Sequence, residues 1–138
     1  MVDQLPKPET SPEPMGSPAD CGPTLPIGLQ LAEPPGRLLK LSLQVAPLIV
    51  GRANDDEHTE QPQLDLSDFG ALECGVSRLH AAFTCDGEFT YVQDLDSSNG
   101  TRINGFKIAP LRNYRLRNND ELELGSLRVT VRLGRHLA

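Results

Sequence analysis

Four short stretches of this chain carry side chains able to bind or move charge. Gly51-Arg52 closes an apolar run, and Ser77-Arg78-Leu79-His80 follows a long polar gap. Ser97-Ser98-Asn99-Gly100-Thr101 comes next, then Asn104-Gly105. An arginine at a strand end presents a planar fork of donors suited to phosphate or carboxylate, although by itself it reads as a solvated surface charge. Ser77 and His80 could form a nucleophile and its base. Three residues apart at a strand entry they would point to opposite faces, and no G-x-S-x-G elbow accompanies them. Ser77 is better read as a hydroxyl donor to an anion, with His80 as a buried strut joining two loops. The hydroxyls and amide of residues 97–101 can cap local backbone in a turn. An asparagine there can also clamp the main chain of an extended peptide through its C=O and NH₂.

Such loops need a rigid frame, and the chain supplies one in β periodicity. Residues 27–31 alternate, Pro34-Pro35-Gly36 turns the chain, and Leu39, Leu41, Leu43 and Val45 share one face opposite Lys40, Ser42 and Gln44. Short strands are expected at 48–50, 64–66, 80–85, 88–94, 101–103 and 106–108, with two more between 121 and 133 broken at Gly125-Ser126. Asp86-Gly87, Asn99-Gly100 and Asn104-Gly105 are turn signals. No stretch keeps a helical period. Many short strands with frequent turns predict an all-β sandwich or barrel.

Before that frame, residues 1–25 interleave Pro6, Pro8, Pro12, Pro14, Pro18 and Pro23 with Glu, Ser, Thr and Gly. Such a segment is too polar to offset its ordering entropy and is expected to be a disordered tail. The folded domain is drawn at 26–134, leaving 135–138 as a short C-terminal tail. Net charge is −6, yet residues 53–76 hold seven acids and no Lys or Arg, while residues 77–138 are slightly basic. This argues against a nucleic-acid binder. No apolar run is long enough to span a membrane, and no secretory signal is visible. The three cysteines, Cys21, Cys74 and Cys85, have no metal-ligand spacing and read as reduced thiols of a cytoplasmic protein. No metal or other cofactor is expected, and no paired carboxylates or phosphate-cradling glycine loop suggests an enzyme.

Taken together, Gly-Arg at a strand end, Ser-x-x-His, Ser-Ser-Asn-Gly-Thr and Asn-Gly resemble the forkhead-associated (FHA) domain from about Pro26 to Leu133. The resemblance implies an eleven-stranded β-sandwich that recognises phosphothreonine in extended peptides through loops at one end. It makes Arg52, Ser77 and Ser98 phosphate contacts, with Arg78 adding a main-chain or guanidinium contact and Asn99 holding the peptide backbone. Gly51, His80, Gly100, Thr101 and Asn104 become structural supports. The partner would be a phosphothreonine-containing protein, with a Ser/Thr kinase upstream. Thr10, with Glu13 at +3, is a candidate phosphosite whose phosphate could dock into the same domain and close it. Two other readings compete: an FHA-like scaffold or oligomerising module that binds without phosphate, and an enzyme. Residues 53–76 depart from the family pattern by their length, with Phe69 to Gly75 as the extra part.

Overall fold

The computed structural model describes residues 25–33, 36–43, 47–56 and 58–134. Thr10, nearly all of the proline-rich tail, Val45 and residues 135–138 lie outside the described residues.

Among the described residues there are eleven strands: β1 Leu25–Leu31, β2 Leu38–Leu43, β3 Leu48–Gly51, β4 Leu64–Asp65, β5 Ala81–Cys85, β6 Thr90–Asp94, β7 Thr101–Ile103, β8 Phe106–Lys107, β9 Asn113–Leu116, β10 Glu121–Leu124 and β11 Leu127–Leu133. They form a five-stranded sheet, in the order β9-β6-β5-β3-β4, and a six-stranded sheet, in the order β2-β1-β11-β10-β7-β8. The β3–β4 pair is parallel and the other pairs are antiparallel. The all-β sandwich expected from the sequence is the architecture observed.

Alternation explains the sandwich. In β11, Leu127, Val129 and Val131 are buried between residues that are exposed or half-buried, and β10 buries Leu122 and Leu124 in the same way. Ile27, Leu29 and Leu31 of β1 add to this inner face. Val50, Ala81, Phe83, Val92 and Leu116 supply the opposing face, and one continuous core unites the two. Burying one aliphatic side chain of this kind contributes about 1.5–3 kcal/mol.

Two predicted hairpins form as their residues require. Asp86-Gly87 turns β5 into β6, with Asp86 Oδ1 accepting from the N–H groups of Glu88 and Phe89. Glu88 and Phe89 therefore belong to the turn, and β6 starts at Thr90 rather than at 88. Asn104 and Gly105 have φ of 52° and 89°, and join β7 to β8 through the two left-handed positions a tight hairpin needs. The first strand begins at Leu25, one residue inside the tail as drawn from sequence. Strand β9 had no counterpart in the sequence reading. Its Asn113 and Arg115 are exposed, and Leu116 alone is fully buried, so an edge strand of four residues leaves almost no apolar pattern.

The loop following Asp94 leaves the five-stranded sheet and enters the six-stranded one at Thr101. It lies at the same end as the β3–β4 loop, the segment 66–80 and the β10–β11 turn. Hydrogen bonds join these pieces: Gly125 N–H to Gly100 O (3.0 Å), Ser126 N–H to Cys74 O (2.8 Å) and Arg52 N–H to Ser77 O (3.2 Å).

Phe83 is fully buried at the centre of β5, between β3 and β6. Phe83→Ala should lower unfolding free energy by about 3–5 kcal/mol, as large core truncations do. Urea denaturation followed by circular dichroism measures this; a loss under about 1 kcal/mol would mean the core is not organised around that ring.

Candidate functional site

Gly51 ends β3 in a space that admits no side chain. A Cβ on it would strike the Arg78 carbonyl oxygen and stand 2.8 Å from that of Ser77. The missing side chain lets residues 77–78 lie directly on the strand end, where both carbonyls accept from the Arg52 N–H, at 3.2 and 3.1 Å. The half-buried Arg52 side chain donates from Nε to Val76 O at 3.1 Å. That bond aims the guanidinium and leaves both terminal nitrogens without partners among the described residues. Arg52 thus also braces the fold, more than a loop position suggests.

The next turn is held by His80, which is fully buried. Its Nδ1 lies 2.9 Å from the Ser77 backbone N–H, which can only donate. Nδ1 is therefore the acceptor, and Nε2 carries the proton toward Gly100 O at 3.0 Å. One neutral ring ties the Ser77 turn to the loop after β6. Burial pushes the imidazole below its ordinary value, against the opposing pull of the Gly100 carbonyl and the Asp94 charge.

Beneath that loop sits Asp94, also buried. Its Oδ1 accepts from Ser97 Oγ and Thr101 Oγ1, both at 2.6 Å. Ser97 Oγ in turn accepts from Gly100 N–H at 3.0 Å. Ser97 is thus committed to the scaffold, while Ser98 is exposed with its hydroxyl unpartnered among the described residues. The Ser98 N–H donates to Ser77 Oγ at 3.0 Å. The Ser77 hydroxyl has accepted one bond and keeps its own proton unspent among the described residues.

Asn99 donates from Nδ2 to Gly75 O at 2.9 Å, which leaves Oδ1 and the second amide hydrogen open. A side chain on Gly75 would collide with that amide. Arg78 is exposed, with its carbonyl committed to Arg52 and its guanidinium unpaired among the described residues. Arg52, Ser77, Arg78, Ser98 and Asn99 therefore converge on one end of the sandwich, supported by Gly51, His80, Gly100 and Thr101.

Asn104 supports something else. It sits at the β7–β8 turn, where Oδ1 accepts from Glu121 N–H and Nδ2 donates to Asp120 Oδ1, fixing the start of β10. Sequence reasoning passed over two carboxylates. One is Asp94, a buried acceptor of two hydroxyls. Asp65 accepts from Ser67 Oγ and from the backbone N–H groups of Ala53 and Ser67. The Ser67 hydroxyl, followed by those N–H groups, holds the Asp65 carboxyl below its ordinary value. The spacing of Asp94 to Ser97 and Thr101 was visible, but only burial reveals its role. Among the described residues no His, Cys, Asp and Glu group could hold a metal.

Comparison with known proteins places the chain in a family. The family model of the FHA domain matches residues 48–125, from β3 through the β10–β11 turn. The chain is 36% identical over 87 residues to Protein FraH of Nostoc sp., covering 63% of this chain and 29% of that protein. It is 31% identical over 107 residues to the FHA domain-containing protein FhaA of Mycobacterium tuberculosis, covering 78% of this chain and 17% of that protein. The chain thus spans less than a third of either relative. Among solved structures, the FhaA FHA domain complexed with the intracellular domain of Rv3910 superposes with a TM-score of 0.58 at 31% identity, covering 77% of this chain and 99% of that one. A domain from a study of phosphothreonine-dependent FHA domain interactions gives 0.57 at 29% identity, covering 79% and 95%.

The lowered His80 value has a consequence for stability. Above about pH 6.5 the folded and unfolded chains both hold a neutral imidazole. As pH falls through 6.5 the unfolded chain takes up a proton that the folded chain refuses, so stability declines until the folded value is reached. His80→Gln should abolish this part of the slope and cost about 1–3 kcal/mol at neutral pH through unsatisfied buried groups. Urea midpoints between pH 7.5 and 5 measure both effects; an unchanged slope in the variant would remove His80 from that role.

Proposed function

This chain belongs to the FHA domain family, and on that premise we propose that it is a phosphothreonine-dependent peptide-binding module acting as an adaptor in Ser/Thr-kinase signalling in the cytoplasm. The observation that carries the reading is the set of unspent donors at one end of the sandwich. Arg52 has both terminal guanidinium nitrogens and Ser77 a hydroxyl proton, each side chain held by a bond through another of its atoms, while Ser98 adds an open hydroxyl and Arg78 a whole guanidinium. A phosphate dianion needs such charge-assisted donors, and a handful suffices without a large basic face. The open Oδ1 and second amide hydrogen of Asn99 suit an extended peptide main chain leaving the phosphate. The phosphothreonine-dependent interactions described for a related domain favour the same chemistry.

Phosphate-independent use of the fold as a scaffold predicts a different mutational result. Arg52→Ala should weaken binding of a library-selected phosphothreonine peptide by about 2–4 kcal/mol. The fold should lose about 1 kcal/mol, through the bond to Val76. Calorimetry showing wild-type affinity in a folded Arg52→Ala protein would favour the scaffold reading. If a methyl pocket is kept, phosphothreonine should outbind phosphoserine in the same peptide by roughly 1–2 kcal/mol, and equal affinities would discard the pocket. The ligand in the cell is a phosphothreonine protein, or the chain's own Thr10 once phosphorylated. For Thr10, amide resonances of Ser77, Ser98 and Asn99 should shift when it carries phosphate, and unmoved resonances would rule out self-docking.

A further inference from the structure

Gly100 has φ of 83° and leaves bare backbone next to Asn99. The side chain of Lys107, on β8, lies across that bare backbone. A Cβ on Gly100 would stand 2.7 Å from Lys107 Cε and 3.5 Å from Nζ. The lysine stem therefore packs on the loop that presents Ser98 and Asn99, while the residue remains exposed and its ammonium open to solvent.

The residue opposite Lys107 across the ladder is Arg102, a second cation. Beyond Arg102 lies Glu123, whose carboxylate is engaged by Arg128 Nε at 2.9 Å. Among the described residues no carboxylate pairs with Lys107. An unpaired ammonium seated on a loop, beside a like charge, gains most by meeting an anion from outside.

We infer that Lys107 is a further ligand-contacting residue, whose ammonium takes an anionic oxygen of the bound phosphopeptide. This rests on the phosphopeptide reading of the site. The oxygen could belong to the phosphothreonine itself or to an acidic side chain flanking it. In either case Lys107 extends the donor set from β8 in the six-stranded sheet, outside the Gly-Arg, Ser-x-x-His and Ser-Ser-Asn-Gly stretches.

The test uses the full chain and two synthetic probes. One is a phosphothreonine peptide selected from an oriented library, and the other is its counterpart with flanking Asp and Glu replaced by Asn and Gln. Lys107→Gln should weaken the first roughly three- to tenfold, and Lys107→Glu should weaken it further. Lys40→Gln, which removes an exposed lysine on β2, should match wild type and controls for net charge. Equal losses on both probes assign the phosphothreonine oxygen, and a loss on the acidic probe alone assigns the flanking carboxylate. If Lys107→Gln and Lys107→Glu bind both probes as wild type while Arg52→Ala does not, the inference is overturned and the site reading stands. If Arg52→Ala also binds as wild type, the site reading itself fails, and the inference with it.

Discussion

The neutral imidazole of His80 is the contact on which the site's geometry depends. It is fully buried, accepts from Ser77 N–H and donates to Gly100 O. These two groups belong to loops far apart in sequence, and Ser98 N–H to Ser77 Oγ is a further bond between them. Gly100 O also receives Gly125 N–H, so the same ring indirectly reaches the β10–β11 turn. A ring without its proton on Nε2, or with a second one on Nδ1, would leave a donor facing a donor or an acceptor facing an acceptor. Either arrangement costs the full desolvation of a buried polar group, about 1–3 kcal/mol. The loops are therefore fixed relative to each other before any ligand arrives, which lowers the ordering cost of binding.

Around this strut the polar side chains divide by how many of their bonds are used. Asp94, Ser97 and Thr101 close a network among themselves and Gly100. Partly satisfied buried networks are costly, so complete closure is what permits a buried carboxylate here. Arg52, Ser77 and Asn99 each use one or two bonds to fix their own position and keep others unspent. Arg78, Ser98 and Lys107 keep nearly all. An acidic chain of net charge −6 can still present a cationic end in this way. Charge separated from the site by more than about 10 Å is screened at ordinary salt, so local donors outweigh the total.

Much of this was legible in sequence, because alternation and turn chemistry are local. Leu122, Leu124, Leu127, Val129 and Val131 announce their strands, and Asp86-Gly87 and Asn104-Gly105 announce their hairpins. Strand β9 stayed hidden since its existence rests on pairing with β6 rather than on its own pattern. The two adjacent serines could not be separated by type. What separates them is that Ser97 faces down to Asp94 and Ser98 faces out. Lys107 was similarly invisible, because a lysine on a short strand means nothing until Gly100 is seen beneath it. In the acidic gap after Arg52, Asp56 and Asp65 spend their carboxylates on local N–H groups, which turns charge into loop stiffness.

Glycine completes the argument, at places where loops meet backbone to backbone. Gly51 lets the 77–78 turn lie on the strand end, and Gly125, at φ of 63°, lets the β10–β11 turn press on Cys74 and Gly75. A Cβ on Gly125 would stand 2.5 Å from Cys74 O and 2.9 Å from Gly75 O, which real side chains do not tolerate. The segment from Phe69 to Gly75 is seated by this approach, with Ser126 N–H and Oγ both donating to Cys74 O. Gly75 O is then presented to Asn99. That segment becomes the ledge against which the asparagine is set. The orientation of the Asn99 amide is thus fixed by a contact between two main chains, and no side-chain substitution at Asn99 alone could reproduce it.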